Sequence, residues 1–181
     1  MCVYVHLATG FEELEALSPV DVLRRGGVCV KTVSVSGERV VVGAHGIGVA
    51  ADLLFSEADY DSCEMIVLPG GMPGAANLGA HEGLCGQILR FAAEGKYTAA
   101  ICAAPMVFGA LGILQGKKAT IYPGMEDKLT GAEATGKRVC VDGSIITGKG
   151  PGAGLEFSLA LLRLLRGEAA AEEVKSGMLI E

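Results

Sequence analysis

Short apolar runs separated by amphipathic stretches organise the chain. Residues 2–8 (CVYVHLA) alternate and are rich in β-formers, which predicts a first strand broken at Gly10. Residues 14–25 read as a helix, with Pro19 expected to kink it and Gly26–Gly27 to end it. A Val-rich strand follows at 28–35. After a turn at Ser36–Gly37, two short strands are expected at 39–42 and 47–51, around a turn at 43–46. Residues 65–68 (MIVL) form a continuous apolar run closed by Pro69–Gly70–Gly71, the pattern of a buried parallel strand. The remaining pattern predicts helices at 82–94, 105–114, 153–165 and 169–175. It also predicts strands at 98–101 and 119–122, and a hairpin of 138–142 with 145–147 around Gly143. Strands alternating with helices imply an α/β domain with a mainly parallel sheet covered on both faces. No internal repeat or low-complexity linker divides it, so one domain over residues 1–181 is expected.

In such a sheet ligands bind beyond the carboxyl ends of the strands. That rule selects four loops, at 9–15, 69–77, 102–105 and 148–154, which are also the loops carrying Gly, Glu and Cys. Composition narrows the partners. Half the residues are hydrophobic but only 5% are aromatic, and 27 are Gly, which suits helices packed closely on a sheet. The formal charge is −6 and Lys and Arg are not clustered, which argues against a nucleic acid. No apolar run is long enough to suggest a membrane span. The N-terminus lacks the basic segment of a signal peptide, so a cytoplasmic protein is expected. The six Cys (2, 29, 63, 85, 102 and 140) show no C-x-x-C and no Cys/His spacing of a metal site. They read as reduced thiols, with Cys2, Cys29 and Cys140 in the core; no metal and no cofactor is implied.

One cysteine differs in context. In A-A-I-C-A-A-P (99–105) the strand ends at Ile101 and Pro105 opens the next helix, so Cys102 falls on a sharp turn between them. Backbone N–H groups at a helix start would favour the thiolate there and lower its pKa. The adjacent glycines Gly70 and Gly71, directly after a core strand, allow close backbone approach and could offer N–H groups to an oxyanion. The acidic loop G-F-E-E-L-E (10–15) precedes a helix, whose dipole accounts for one or two of its carboxylates. Helical spacing puts Glu12 and Glu15 on one face and Glu13 away from Glu12. G-S-I-I-T-G-K-G (143–150) is one residue short of a phosphate loop and reads as strand. Gly150–Pro151–Gly152 is expected to cap the last long helix or pack at a dimer contact.

Taken in order, several motifs together resemble the ThiJ/PfpI superfamily, in the branch of the parkinsonism-associated protein deglycase and bacterial ThiJ-like proteins. They are G-F-E-E-L-E (10–15), P-V-D-V-L-R-R-G-G (19–27), V-L-P-G-G (67–71), G-A-A-N-L (74–78), A-A-I-C-A-A-P (99–105) and G-P-G (150–152). The resemblance implies a flavodoxin-like three-layer sandwich, a homodimer, a nucleophile at Cys102 and, at Glu15, a carboxylic acid hydrogen-bonded to the sulfur. It further implies an oxyanion pocket built from Gly71 and Ala103, with Met72 and Tyr122 lining the site. Where many members carry His before a Pro, this chain has Tyr122, so no Cys–His pair forms there, which argues against peptidase or amidase chemistry. His6, His45 and His81 are expected in a strand, a turn and a helix start, in structural roles. The activity implied is a deglycase or glyoxalase acting on small electrophilic carbonyls or glycated side chains. The alternative is a redox sensor or stress chaperone using the same thiol. A thiamine-thiazole role has no support beyond the ThiJ name.

Overall fold

The computed structural model describes residues 2–180. The chain begins β1 (Cys2–Leu7), α1 (Glu13–Arg25), β2 (Cys29–Ser34), β3 (Val40–Val42), β4 (Gly48–Ala50), β5 (Leu53–Leu54) and β6 (Cys63–Leu68). It continues α2 (Gly74–Ala80), α3 (Glu82–Glu94), β7 (Tyr97–Ile101), α4 (Pro105–Ala110), β8 (Lys118–Ala119) and β9 (Glu133–Ala134). It closes with β10 (Val139–Asp142), β11 (Ile145–Gly148), α5 (Gly154–Arg166) and α6 (Glu168–Gly177). The main sheet has the order β10-β11-β7-β6-β1-β2-β5. Its pairs are parallel except β10 with β11.

Two-residue alternation sorts the strands' side chains into two cores. Val3, Val5, Leu7, Met65, Val67, Ala99 and Ile101 pack with α1 and α5 residues such as Leu23, Phe157 and Leu162. Tyr4, Ile66, Leu68 and Ala100 pack on the other face with Leu78, Ile88, Phe91 and Phe108 of α2, α3 and α4. The result is the expected α/β/α sandwich. Each of the large side chains fully withdrawn from water contributes roughly 1.5–3 kcal/mol. Among the described residues, no helix is long and apolar enough to cross a membrane.

Helix α1 runs through Pro19, which has no N–H to give the preceding turn, and Ala16, Val20 and Leu23 anchor it in the core. The departures have local causes. The helix expected to reach 114 stops at Ala110, and Gly112 turns the chain at φ 73°. The strand expected at 119–122 shrinks to Lys118–Ala119. Beyond it the amides point elsewhere: Thr120 N–H donates to Thr147 Oγ1 and Tyr122 N–H to the Cys102 carbonyl. Cys2 and Cys29 are not reduced core thiols. Parallel register sets them opposite each other on β1 and β2, with Cα atoms 4.7 Å apart, and they form a disulfide; Cys29 is exposed. Cys63, Cys85, Cys102 and Cys140 are free. The segment 143–150 is the β10–β11 turn and its return strand, as expected, and the Pro151–Ala153 turn leads into α5.

Candidate active site

The four loops selected from the sequence meet at the carboxyl ends of β1, β6, β7 and β11. The strand-to-helix turn after β7 forces Cys102 to φ 63°, the left-handed region that non-glycine residues seldom enter. A residue held there costs about 1–3 kcal/mol and persists only when its neighbours fix it. They do so here. Cys102 N–H donates to the Gly148 carbonyl at 2.9 Å, and the Cys102 carbonyl accepts from Tyr122 N–H at 2.9 Å. The sulfur's residue is 8% exposed, enough for a small reagent to reach it through a pocket.

Glu15 comes to the sulfur from the first turn of α1. The helix is capped by Glu12, whose Oε2 accepts from Glu15 N–H at 2.8 Å. Fully buried, Glu15 directs Oε2 to the N–H of Gly70 at 2.9 Å. Oε1 is buried with no conventional hydrogen-bond partner among the described residues, and the carboxyl interacts with the Cys102 sulfur. Gly70 leaves this approach open: a Cβ there would lie 2.6 Å from both Cys102 Cβ and Glu15 Oε2. Gly71, at φ 85°, admits the chain past Gly10 and Phe11.

Two expectations need correction. Gly70 does not offer its N–H to an oxyanion, because that N–H is given to Glu15; its part is to position the acid. The amides of Gly71 and Ala103 do face the sulfur and pull its pKa down. They do not win. Burial, then the Glu15 carboxylate, push the thiol up to about 12. The helix behind the turn is only six residues long, and two amides do not offset desolvation plus a neighbouring negative charge. Glu15 is itself pushed up to about 7, by burial first and by the Glu12 charge, against hydrogen bonds from Cys102 and Gly70. The pair therefore carries a single negative charge when the carboxyl ionises, and a proton can pass from the sulfur to the carboxylate without changing that total.

Gly71, Met72, Cys102, Ala103, Tyr122 and Met125 line a pocket of about 270 Å³ over the sulfur. Met72 and Tyr122, both named from the sequence, are among them. Met125 was not anticipated: it lies on an irregular segment with no periodic signal. Gly148, which anchors the cysteine's N–H, could not be singled out either, since a strand's last carbonyl carries no mark in the sequence. Glu13 turns away from the pocket, with Oε2 2.7 Å from His45 Nδ1. His6 is buried against Tyr60, and His81 caps α3 by accepting from Leu84 N–H. Glu12, Glu13 and His45 have ligand atoms within reach of one another, but their contacts satisfy each other and the α1 cap.

A sequence model of the DJ-1/PfpI family matches residues 1–164. Protein DJ-1 homolog A of Arabidopsis thaliana is 42% identical over 181 residues, 98% of this chain and 46% of the relative. The chain thus spans less than half the length of that relative. Protein dj-1beta of Drosophila melanogaster is 36% identical over 179 residues, covering 97% of this chain and 95% of the relative. A deglycase of Pyrococcus abyssi is 31% identical over 169 residues, covering 92% and 100% respectively. Among solved structures, oxidized Toxoplasma gondii DJ-1 superposes with a TM-score of 0.94 at 37% identity, covering 98% of this chain and 97% of its own.

Proposed function

This chain belongs to the DJ-1/PfpI family, and from that premise we propose that it is a cysteine-dependent deglycase or glyoxalase. Its substrates are small dicarbonyls and their early adducts with amines or thiols, and it works as a homodimer. The observation that carries the reading is the buried Glu15 oxygen without a conventional partner beside a cysteine held at positive φ in an open pocket.

With methylglyoxal, the sulfur bonds to the aldehyde carbon as its proton passes to the Glu15 carboxylate. The new alkoxide rests against the amides of Gly71 and Ala103, which stabilise developing charge without reorganising. Glu15 then protonates that oxygen and takes the hydrogen of the same carbon as a proton, leaving an enediolate. It returns that proton to the neighbouring carbon as the first oxygen's proton passes to the former ketone oxygen. The ketone becomes an alcohol and the hemithioacetal a thioester. Water cleaves the thioester, restoring the thiol; methylglyoxal plus water has become lactic acid, with no outside oxidant. A carboxyl titrating near 7 suits a group that must both accept and give protons at neutral pH. The deglycase name borne by the Pyrococcus abyssi relative supports this assignment.

Lactate formation tests it, in the parent protein, Cys102→Ser and Glu15→Gln. The expected result is loss of product in the first variant and a drop of about 10²–10⁴-fold in the second. Equal rates in all three would remove the proposal. A second reading, reversible oxidation of Cys102 as a signal, is favoured by the oxidized state named for the Toxoplasma gondii structure. With the Glu15 carboxylate beside it to take the thiol's proton as peroxide attacks, Cys102 should on that reading be modified ahead of Cys63, Cys85 and Cys140 when mild peroxide is followed by mass spectrometry.

A further inference from the structure

A second hollow, of about 200 Å³, adjoins the thiol pocket and shares Tyr122 as its wall. Pro123, Pro151 and Ala153 make it largely apolar, and Arg138 and Lys149 supply its cations. The Tyr122 ring lies over Gly150, where a Cβ would meet it at 3.5 Å. Both sides of the hollow are tied to the cysteine by main-chain bonds. Tyr122 N–H is bonded to the Cys102 carbonyl, and Lys149 directly follows the glycine that accepts the Cys102 N–H. The two cations differ in state. Arg138 is committed, with Nε 2.7 Å from Glu156 Oε2 and a second nitrogen on the Gly152 carbonyl. Lys149 Nζ reaches only the Gly136 carbonyl, at 3.1 Å, and has no carboxylate partner among the described residues. An apolar trough ending in an uncompensated ammonium fits a short methylene chain that ends in a carboxylate.

We propose that this hollow is a subsite for the carboxylate-bearing arm of the adduct whose carbonyl carbon meets Cys102, and that Lys149 selects for it. The inference rests on the enzymatic reading above and adds the substrate class: carbonyl adducts of amines or thiols that carry a carboxylate, in preference to neutral ones.

Two matched probe pairs test it. Bromoacetyl-β-alanine and its primary amide alkylate a thiol in the same way, sulfur displacing bromide, and differ only in charge. Relative to the ratio measured with a free small thiol, the acid should label Cys102 about two- to fivefold faster than the amide. Lys149→Met should abolish that excess, Lys149→Arg should keep it, and added salt should erode it. In turnover, the methylglyoxal hemithioacetal of N-acetylcysteine should be preferred over that of N-acetylcysteine amide by a similar factor. A labelling ratio that is the same in the parent and Lys149→Met overturns the proposal. Because labelling needs no turnover, a charge-dependent ratio without lactate would sink the enzymatic reading and leave the subsite standing. Turnover with no charge dependence would do the reverse.

Discussion

At Cys102 and Glu15 burial opposes the ionisation of both acids, and the Glu15 carboxylate further opposes that of the thiol, whereas the thiol's hydrogen bond favours the carboxylate. Glu15 is pushed up to about 7 from an ordinary 4.5, chiefly by burial. A raised carboxyl binds its proton more tightly in the folded chain than in the unfolded one. Its contribution to stability is therefore whole below pH 4.5 and is lost as pH rises toward 7. The shift corresponds to about 3 kcal/mol, at 1.36 kcal/mol per unit. Glu15→Gln keeps an oxygen for Gly70 N–H and cannot ionise. Urea unfolding should show the variant gaining on its parent by about that amount between pH 4.5 and 8; two parallel stability curves would contradict the buried carboxyl. The same titration should appear in turnover. The kcat/KM of the parent should rise through a limb near pH 7 as Glu15 becomes able to accept the thiol's proton, and Glu15→Gln should lack that limb.

At the scale of elements, the loop bearing Glu15 is braced by a ribbon outside the main sheet. Strands β3 and β4 pair only with each other, and two strands alone are marginal in water. Glu13 anchors them: Oε1 accepts from His45 N–H at 2.8 Å, and Oε2 meets His45 Nδ1 at 2.7 Å. Although burial alone would push Glu13 up, these hydrogen bonds hold it below the usual carboxylate range. Backbone bonds from Gly10 N–H to Val42 and from Ala44 N–H to Phe11 complete the tie. Glu13→Ala should destabilise the fold by about 1–3 kcal/mol and speed amide exchange first in the ribbon; unchanged exchange there would show that the backbone bonds suffice. The ribbon itself was legible, because Val-rich runs flank a Gly turn. Its anchor was not, since nothing in the acidic loop tells which carboxylate turns outward to a residue 32 positions away. The same limit hides α2, whose GAANLGA carries one large apolar side chain, Leu78, and is helical because Ala75 and Leu78 pack in the core. It also hides the Cys2–Cys29 pairing, which only strand register creates. The turn at Cys102 and the place of Glu15 were legible from their motif order. The sign of the thiol's shift was not, because it depends on how much water the fold excludes.

Over the whole molecule, the two kinds of cysteine chemistry lie at opposite ends of the sheet. The disulfide joins the amino ends of β1 and β2, whereas the thiol stands beyond the carboxyl end of β7. Between them runs α1, whose inner face supplies Glu15 and whose outer face is unusually apolar. Leu14 is 62% exposed, and Leu17, Ile47 and Leu155 are exposed as well. Leu14 and Leu17 share a helical face. A Cβ on Gly154 would lie 3.8 Å from the Leu14 carbonyl, which brings the start of α5, and Leu155, alongside. Contiguous exposed leucines of this kind mark an association surface, and a two-fold contact buries the same patch on both copies. The homodimer proposed for this chain would use that surface, stiffening the helix that carries the acid. Sedimentation at micromolar concentration should then give about twice the 18.5 kDa of one chain. Leu14→Glu, which places a charge in the middle of the patch, should return the particle to the mass of one chain. A parent protein that sediments as a single chain, or a variant that stays paired, would place the contact elsewhere or nowhere.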